Sequence, residues 1–344
     1  MPVLHLLWLL AALWGETGQG TSPVQQEAVL PGVATVRLLA VGDVNLGRHV
    51  GRVMLAGDTL FPFVAVRDTF AAYDLVFANL ESCLSEQGGE TEHPRNNLIF
   101  TGPPIGGRML RLAGISMVAT ANNHALDYGP RGLWETMSNL DAAGVPFAGS
   151  ARRAQDLYEP ALIERNGVRI ALFACTAIMN MRPAGWDTLV AWADTARLFP
   201  RMRAWRDSAD FLILSYHGGE EYRDRAGAGV QAFGRAAAEA GADVVLGHHP
   251  HVPYGWERRN GTLIVHSLGN FVFRQPGKFW TEHSYGVALV LEKGLGFRRI
   301  ASVRCLPVKA GFQPAFLPPG PDADRVLDRV RKLSTGASKE SVEW

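Results

Sequence analysis

The sequence predicts a mixed α/β protein built on two packed sheets. Three observations point there. Five short β-rich runs, each ending in polar residues, alternate with segments of helical periodicity, the pattern of a largely parallel, buried sheet. Two Asn-Gly pairs, Asn166-Gly167 and Asn260-Gly261, sit between apolar runs and predict tight antiparallel hairpins. Two further β-rich runs, "YGVALVLEK" and "RRIASVRCLPV", follow one another near the C-terminus and extend the antiparallel part.

Taken in chain order, "MPVLHLLWLLAALWGETGQG" (1–20) carries an apolar core from Leu4 to Trp14, a length suited to a signal peptide and too short to span a bilayer. Small residues follow at Gly15, Gly18 and Gly20, so cleavage near Gly20 and export to the periplasm or the exterior are expected. No Cys follows the run, which argues against a lipid anchor. Residues 21–33 read as a linker, 34–320 as the main domain, and 321–344 as a helix over 321–333 with a fraying tail. Within the domain the strands are "TVRLLAVGD" (35–43), "DLVFANLE" (74–81), "ISMVATANNH" (115–124), "DFLILSYHGG" (210–219) and "GADVVLGHHPH" (241–251). Helical spacing covers 60–72, 104–113, 130–143, 192–208 and 227–240.

Composition narrows the function. The 344 residues are 47% apolar and 19% charged, with a formal net charge of +1. No global field draws this chain to nucleic acid or an anionic membrane, so nucleic-acid binding is not expected and an anionic substrate must meet local Arg or Lys. Cys83, Cys175 and Cys305 are far apart with no CxxC, which removes thiolate zinc and redox motifs.

The chemistry lies at the strand ends. They carry Asp43 and Asn45 in "GDVN", Asn79 and Glu81 in "NLE", Asn123 and His124 in "NNH", His217 in "HGGEE", and His248, His249 and His251 in "GHHPH". Parallel strands deliver their C-terminal ends to one edge, so these groups converge without being close in sequence. The donors are nitrogen and oxygen, a set suited to Zn, Mn, Fe or Ni. Singly, each has a plainer reading: an Asp after a strand caps or turns, and Asp127 caps a helix starting near Pro130. Five strand ends in order do not. Arg48 and the Glu220–Glu221 pair lie close enough in sequence to reach the same crevice and touch substrate, and Ser267 and Asn270 in "HSLGN" are placed to buttress the His-rich loop.

"AVGDVNLGR", "ANLE", "ANNHALDYG", "LSYHGGEEY", "GADVVLGHHPHV" and "HSLGNFVF", spread over residues 39–273, resemble the calcineurin-like metallophosphoesterase superfamily and, within it, the CapA family of poly-γ-glutamate (capsule) synthesis proteins. The resemblance implies a four-layer α/β/β/α sandwich holding one or two divalent ions (Mn, Zn, Fe, Ni or Mg). It implies Asp43, Asn45 and His251 at a first metal, a bridging Glu81, and Asn123, His217 and His249 at a second. His124, held by Asp127, would be the acid serving a leaving group. Asn79, His248, Ser267 and Asn270 would support these ligands. Asn45 replaces a His of the superfamily pattern, Glu81 an Asp, and Asn122 a Gly. The implied function is an exported metal-dependent hydrolase or transferase acting on an anionic envelope polymer, with capsule-synthesis membrane proteins as partners. A nucleotidase-like phosphoesterase and a non-catalytic assembly protein are the competing expectations.

Overall fold

The structure, a computed structural model, describes residues 32–335 and 342–343. The expected signal segment, nearly all of the linker and most of the tail lie outside the described residues.

Strand Ala34–Val44 is the hub of the first sheet. Its side chains alternate in direction, as a period of two requires: Leu38 and Ala40 pack into the space between the sheets, Leu39 and Val41 onto the opposite face. On one side it pairs in parallel with Leu75–Leu80, followed by Met117–Ala119 and Phe147–Ala148, also parallel. On the other side it pairs antiparallel with His283–Gly294, which pairs with Phe297–Lys309. Val342–Glu343, two described residues of the tail, pair in parallel with Val303–Arg304.

The second sheet runs Trp256–Arg259, Thr262–Val265, Val244–His248, Phe211–His217, Val168–Thr176, Ala161–Arg165. Its middle four strands are parallel. Its outer strands are the two hairpins, and both turns carry the positive φ pair that Asn-Gly adopts readily: +50° and +77° at Asn166-Gly167, +49° and +85° at Asn260-Gly261.

Three apolar packings make four layers. Leu38, Phe77, Ile170, Ile213 and Leu246 fill the space between the sheets. The outer face of the first sheet (Val41, Val76, Val118) is covered by Met54, Phe70 and Leu110 of helices Arg48–Leu55, Arg67–Ala71 and Gly106–Ala113. The outer face of the second (Phe173, Leu212, Leu214) is covered by Leu198 and Met202 of Thr195–Trp205 and Ala237 of Ala228–Glu239. The fold is an α/β/β/α sandwich. Helix Pro321–Leu333 closes one side by burying Val326 and Val330.

Two elements differ from the sequence expectation. The segment 60–72 is a 3-10 turn, Phe61–Phe63, followed after a turn at 64–66 by the short helix Arg67–Ala71. Helix Arg48–Leu55 lies outside the segments of helical spacing, although a place for Arg48 in a helix's first turns is the plainer reading of that residue; Gly51 packs against Thr91, where a Cβ would meet the Thr91 side chain at 2.8 Å. No helix among the described residues is long and apolar enough to cross a membrane.

Gly42 and Gly247 allow two close approaches beneath the strand ends. A Cβ on Gly42 would sit 1.8 Å from the Gly269 carbonyl oxygen, and one on Gly247 2.1 Å from that of His266. The Gly269 carbonyl is also the acceptor for the Asp43 N–H at 3.0 Å, so backbone displaced there moves Asp43. Gly42→Ala is expected to cost roughly 3 kcal/mol or more in urea unfolding, as overpacking does in a close-packed interior, with loss of metal binding alongside.

Candidate metal centre

The C-terminal ends of four parallel strands from both sheets meet at one edge of the sandwich. There the chain places two groups of buried donors, Asp43–Glu81–His251 and Glu81–His217–His249, each with its ligand atoms within 4.8 Å of one another. Glu81 belongs to both. The spacings are those of atoms around a shared centre: His217 Nε2 to Glu81 Oε1 3.7 Å, His251 Nε2 to Glu81 Oε1 3.9 Å, and His217 Nε2 to Asn123 Oδ1 2.7 Å. Donors at about 2.1 Å from one ion lie about 3.0–3.4 Å apart, so small adjustments close either group around a cation.

Unsatisfied polar atoms give a direct test of fit. Asp43 and Glu81 are fully buried, yet Asp43 Oδ2, both Glu81 oxygens and His249 Nδ1 have no hydrogen-bond partner. Two adjacent buried carboxylates left this way are costly, and a divalent cation is the group that satisfies them together. Burial pushes the Glu81 carboxyl well above its ordinary range, and the Asp43 charge adds to the rise. Burial pulls Asp43 the same way, but the hydrogen bond from His248 and the His251 ring nitrogen 3.5 Å from Asp43 Oδ2 outweigh it and hold Asp43 well below the usual carboxylate range. His217 is driven well down by burial and by the neighbouring His249, and His249 is lowered to about 4 by burial and His251. Both imidazoles are therefore neutral at pH 7, the form that ligates a metal. The residues present fit a divalent ion.

Supporting side chains fix the donors. Asn79 Nδ2 donates to Asp43 Oδ1 at 2.8 Å and lies 3.3 Å from His217 Nδ1, while His248 Nδ1 sits 3.1 Å from the same Asp43 oxygen. Asn270 Nδ2 donates to the Thr281 carbonyl and to Gln275 Oε1, so Asn270 Oδ1 is the acceptor facing His251 Nδ1 at 2.8 Å. That arrangement puts the proton on Nδ1 and leaves Nε2 bare toward Glu81. Ser267 Oγ donates to the Val252 carbonyl at 2.8 Å, bracing the loop just past His251. Asn270→Ala is expected to weaken metal binding by the His251 group about 10–100-fold, read by competition with a chromogenic chelator.

Beside these donors, His124 Nδ1 lies 2.8 Å from Asp127 Oδ2, and the same oxygen accepts the Phe100 N–H at 3.1 Å. Asp127 is thus committed to His124; the helix Gly129–Ala143 has no side-chain cap. The Phe100 ring lies on His124 with centroids 4.3 Å apart, and the Arg48 guanidinium carbon sits 4.5 Å over Phe100.

A family model described as "Bacterial capsule synthesis protein PGA_cap" matches residues 37–275, a stretch that holds every donor named above. The chain belongs to this capsule synthesis family. It is 27% identical over 288 residues to the capsule biosynthesis protein CapA of Bacillus anthracis, covering 82% of this chain and 68% of that one. It is 32% identical over 250 residues to the PGA biosynthesis protein CapA of Bacillus subtilis (strain 168), covering 70% of this chain and 63% of that one. Among solved structures, a phosphatase from Mycoplasma pneumoniae aligns with 13% identity and a TM-score of 0.46, over 80% of this chain and 94% of that one.

In this capsule synthesis protein two expected site residues make other bonds. Asn45, expected on the first metal, accepts the Gly47 N–H on its Oδ1 at 2.7 Å, a short turn leading into helix Arg48–Leu55, and that oxygen keeps a second lone pair. Glu220 was expected in the crevice, but it is exposed and pairs with Arg223, because the left-handed Gly219 (φ +113°) turns the chain outward there. Glu221 is instead the acid whose charge acts on Glu81 and His249. Arg48 does reach the site's rim, held by its Nη2 donating to the Asn97 carbonyl, with no ion-pair partner among the described residues.

Sequence reasoning missed Phe100, whose role depends on a strand packing across onto the "NNH" loop. It also missed the backbone of the His-rich loop. His249 and His251 have φ of +95° and +58°, and Arg48 +53°, a region that costs non-glycine residues and is kept where surrounding structure imposes it, commonly at functional sites.

Proposed function

We propose that this chain is an exported metal-dependent hydrolase or transferase acting on an anionic polymer of the cell envelope, in the synthesis or processing of poly-γ-glutamate or capsule. One observation carries the reading: two adjacent buried carboxylates, Asp43 with one oxygen and Glu81 with both oxygens lacking a hydrogen-bond partner, ringed by His217, His249 and His251, with the His124–Asp127 pair alongside. Family membership supports the polymer, and the apolar run Leu4–Trp14 supports export.

Asp43, Glu81, Asn123, His217, His249 and His251 would hold the ion, which supplies polarisation of a substrate carbonyl or phosphoryl oxygen and an activated water. The remaining steps belong to the chain. Arg48, on the rim, meets a substrate anion. The Asp127 carboxylate accepts the His124 Nδ1–H, orients the ring and stabilises its protonated form, so that Nε2 can give a proton to the leaving amine or oxygen. Phe100 packs on the ring and limits its rotation. Asp43 carries charge that would repel an anionic substrate in the absence of a cation, which ties substrate entry to metal loading.

The test incubates the full protein, stripped and then reloaded in turn with Mn, Zn, Fe, Ni or Mg, with poly-γ-glutamate and with a chromogenic phosphate ester. Shortening or amine transfer of the polymer with at least one metal, and none after chelation, is expected. Turnover confined to the phosphate ester would assign a phosphoesterase. Bound metal with neither reaction would assign a non-catalytic assembly role.

A further inference from the structure

The loop that follows strand Val168–Thr176 carries a cation that the metal chemistry does not use. Thr176 lies beside His217 in the sheet, so this loop starts at the metal edge. It is tied there at several points: the Ala177 N–H donates to the His217 carbonyl at 2.9 Å, the Asn180 N–H to the Asn123 carbonyl at 3.3 Å, and the Ala193 N–H to the Thr176 carbonyl at 2.8 Å.

Two residues past the contact with Asn123 stands Arg182, exposed and without an ion-pair partner among the described residues. Its guanidinium carbon lies 5.4 Å from the ring centre of Trp186 and 5.4 Å from that of Trp192, and the two indoles meet edge to face at 5.3 Å. A free surface arginine samples many rotamers; one braced by two indoles has given up part of that freedom before any ligand arrives. The charge is preorganised and uncompensated, and two residues of chain span at most about 7 Å, so the Arg182 backbone stays close to Asn180, which is bonded to Asn123 at the metal edge.

We propose that Arg182, Trp186 and Trp192 form a subsite for a carboxylate carried on an apolar stem, belonging to the same chain-like substrate whose reacting bond lies over the metal donors. This rests on the proposed reading of the metal centre. The planar fork of a guanidinium matches a carboxylate with two parallel hydrogen bonds, and the adjoining pair of indoles offers apolar surface to methylene groups. A phosphate chain would satisfy the charge but offers nothing for the indoles to pack against.

Calorimetric titration of the full protein, metal-stripped and metal-loaded, with a short γ-linked glutamate oligomer and with linear polyphosphate of similar charge tests this. Arg182→Ala is expected to weaken the glutamate oligomer about tenfold or more, the scale of a lost charged hydrogen-bond pair, with Arg182→Lys between the two. Metal content should stay within about twofold of wild type, and polyphosphate affinity should fall by a smaller factor than that of the oligomer. Unchanged oligomer affinity in Arg182→Ala overturns the subsite, and an equal loss for polyphosphate overturns its carboxylate assignment. Arg182-dependent binding without any bond cleavage would remove the proposed activity and leave the subsite standing; cleavage with an unchanged KM in Arg182→Ala would do the reverse.

Discussion

Glu81→Gln is expected to move stability in opposite directions with and without metal. Glu81 is the donor common to both groups, so the amide removes one negative charge from each and changes little in size. Metal content should fall from that of wild type to a small fraction of it, and the stabilisation that a tightly bound ion gives the native state, several kcal/mol when the ion is far above its dissociation constant, should fall with it. The stripped proteins should rank the other way. Burial and Asp43 raise the Glu81 pKa in the folded chain, so the folded state holds that proton to higher pH than the unfolded chain does. Stability from this group is therefore lost as pH rises above the ordinary carboxylate range of about 4.3. Gln cannot lose a proton and escapes that loss. Stripped Glu81→Gln should exceed stripped wild type by about 1–3 kcal/mol at pH 7, the scale of an unsatisfied buried polar group, with the gap closing toward pH 4. Thermal unfolding across pH, with and without chelator, reads both signs.

His124→Gln should lower turnover of the polymer about 10²–10⁴-fold, the usual contribution of a positioned acid, with metal content unchanged. Gln retains a polar group of similar reach but cannot shuttle a proton. Asp127→Asn is a gentler change: its amide oxygen can still accept from His124 Nδ1, but the neutral group no longer stabilises the protonated ring, so a smaller loss is expected. The Asp127 oxygen also holds the Phe100 N–H, so both variants should be checked by circular dichroism before rates are compared. Equal turnover in wild type and His124→Gln would remove His124 from the chemistry and leave the metal donors untouched.

The sandwich and its donors were readable in the sequence for one physical reason. Strand runs have a sharp signal, and the residue at a strand's C-terminal end inherits a known place in a parallel sheet, so Asp43, Glu81, His217 and His249 could be brought together without knowing any loop. Loops carry no such periodicity. Asn45 makes a local Asx turn with the oxygen expected on the metal, and nothing in "GDVNLGR" announces that bond. Glu220 and Glu221 differ only in which way a left-handed glycine sends the chain. Phe100 joins the site through a hydrogen bond to a residue 27 positions away, a contact that exists only once the strand Asn96–Gly102 has packed onto the loop. Arg182 gains meaning only when Trp186 and Trp192 are seen together beside it.

Elemental analysis of the purified chain after exposure to Mn, Zn, Fe, Ni and Mg and removal of excess is the most direct measurement. Wild type should retain one or two divalent ions per chain, and Glu81→Gln and His249→Ala should each lose bound metal while remaining folded. Wild-type protein that retains no ion under any of these conditions would contradict the assignment of Asp43, Glu81, Asn123, His217, His249 and His251 as a metal centre.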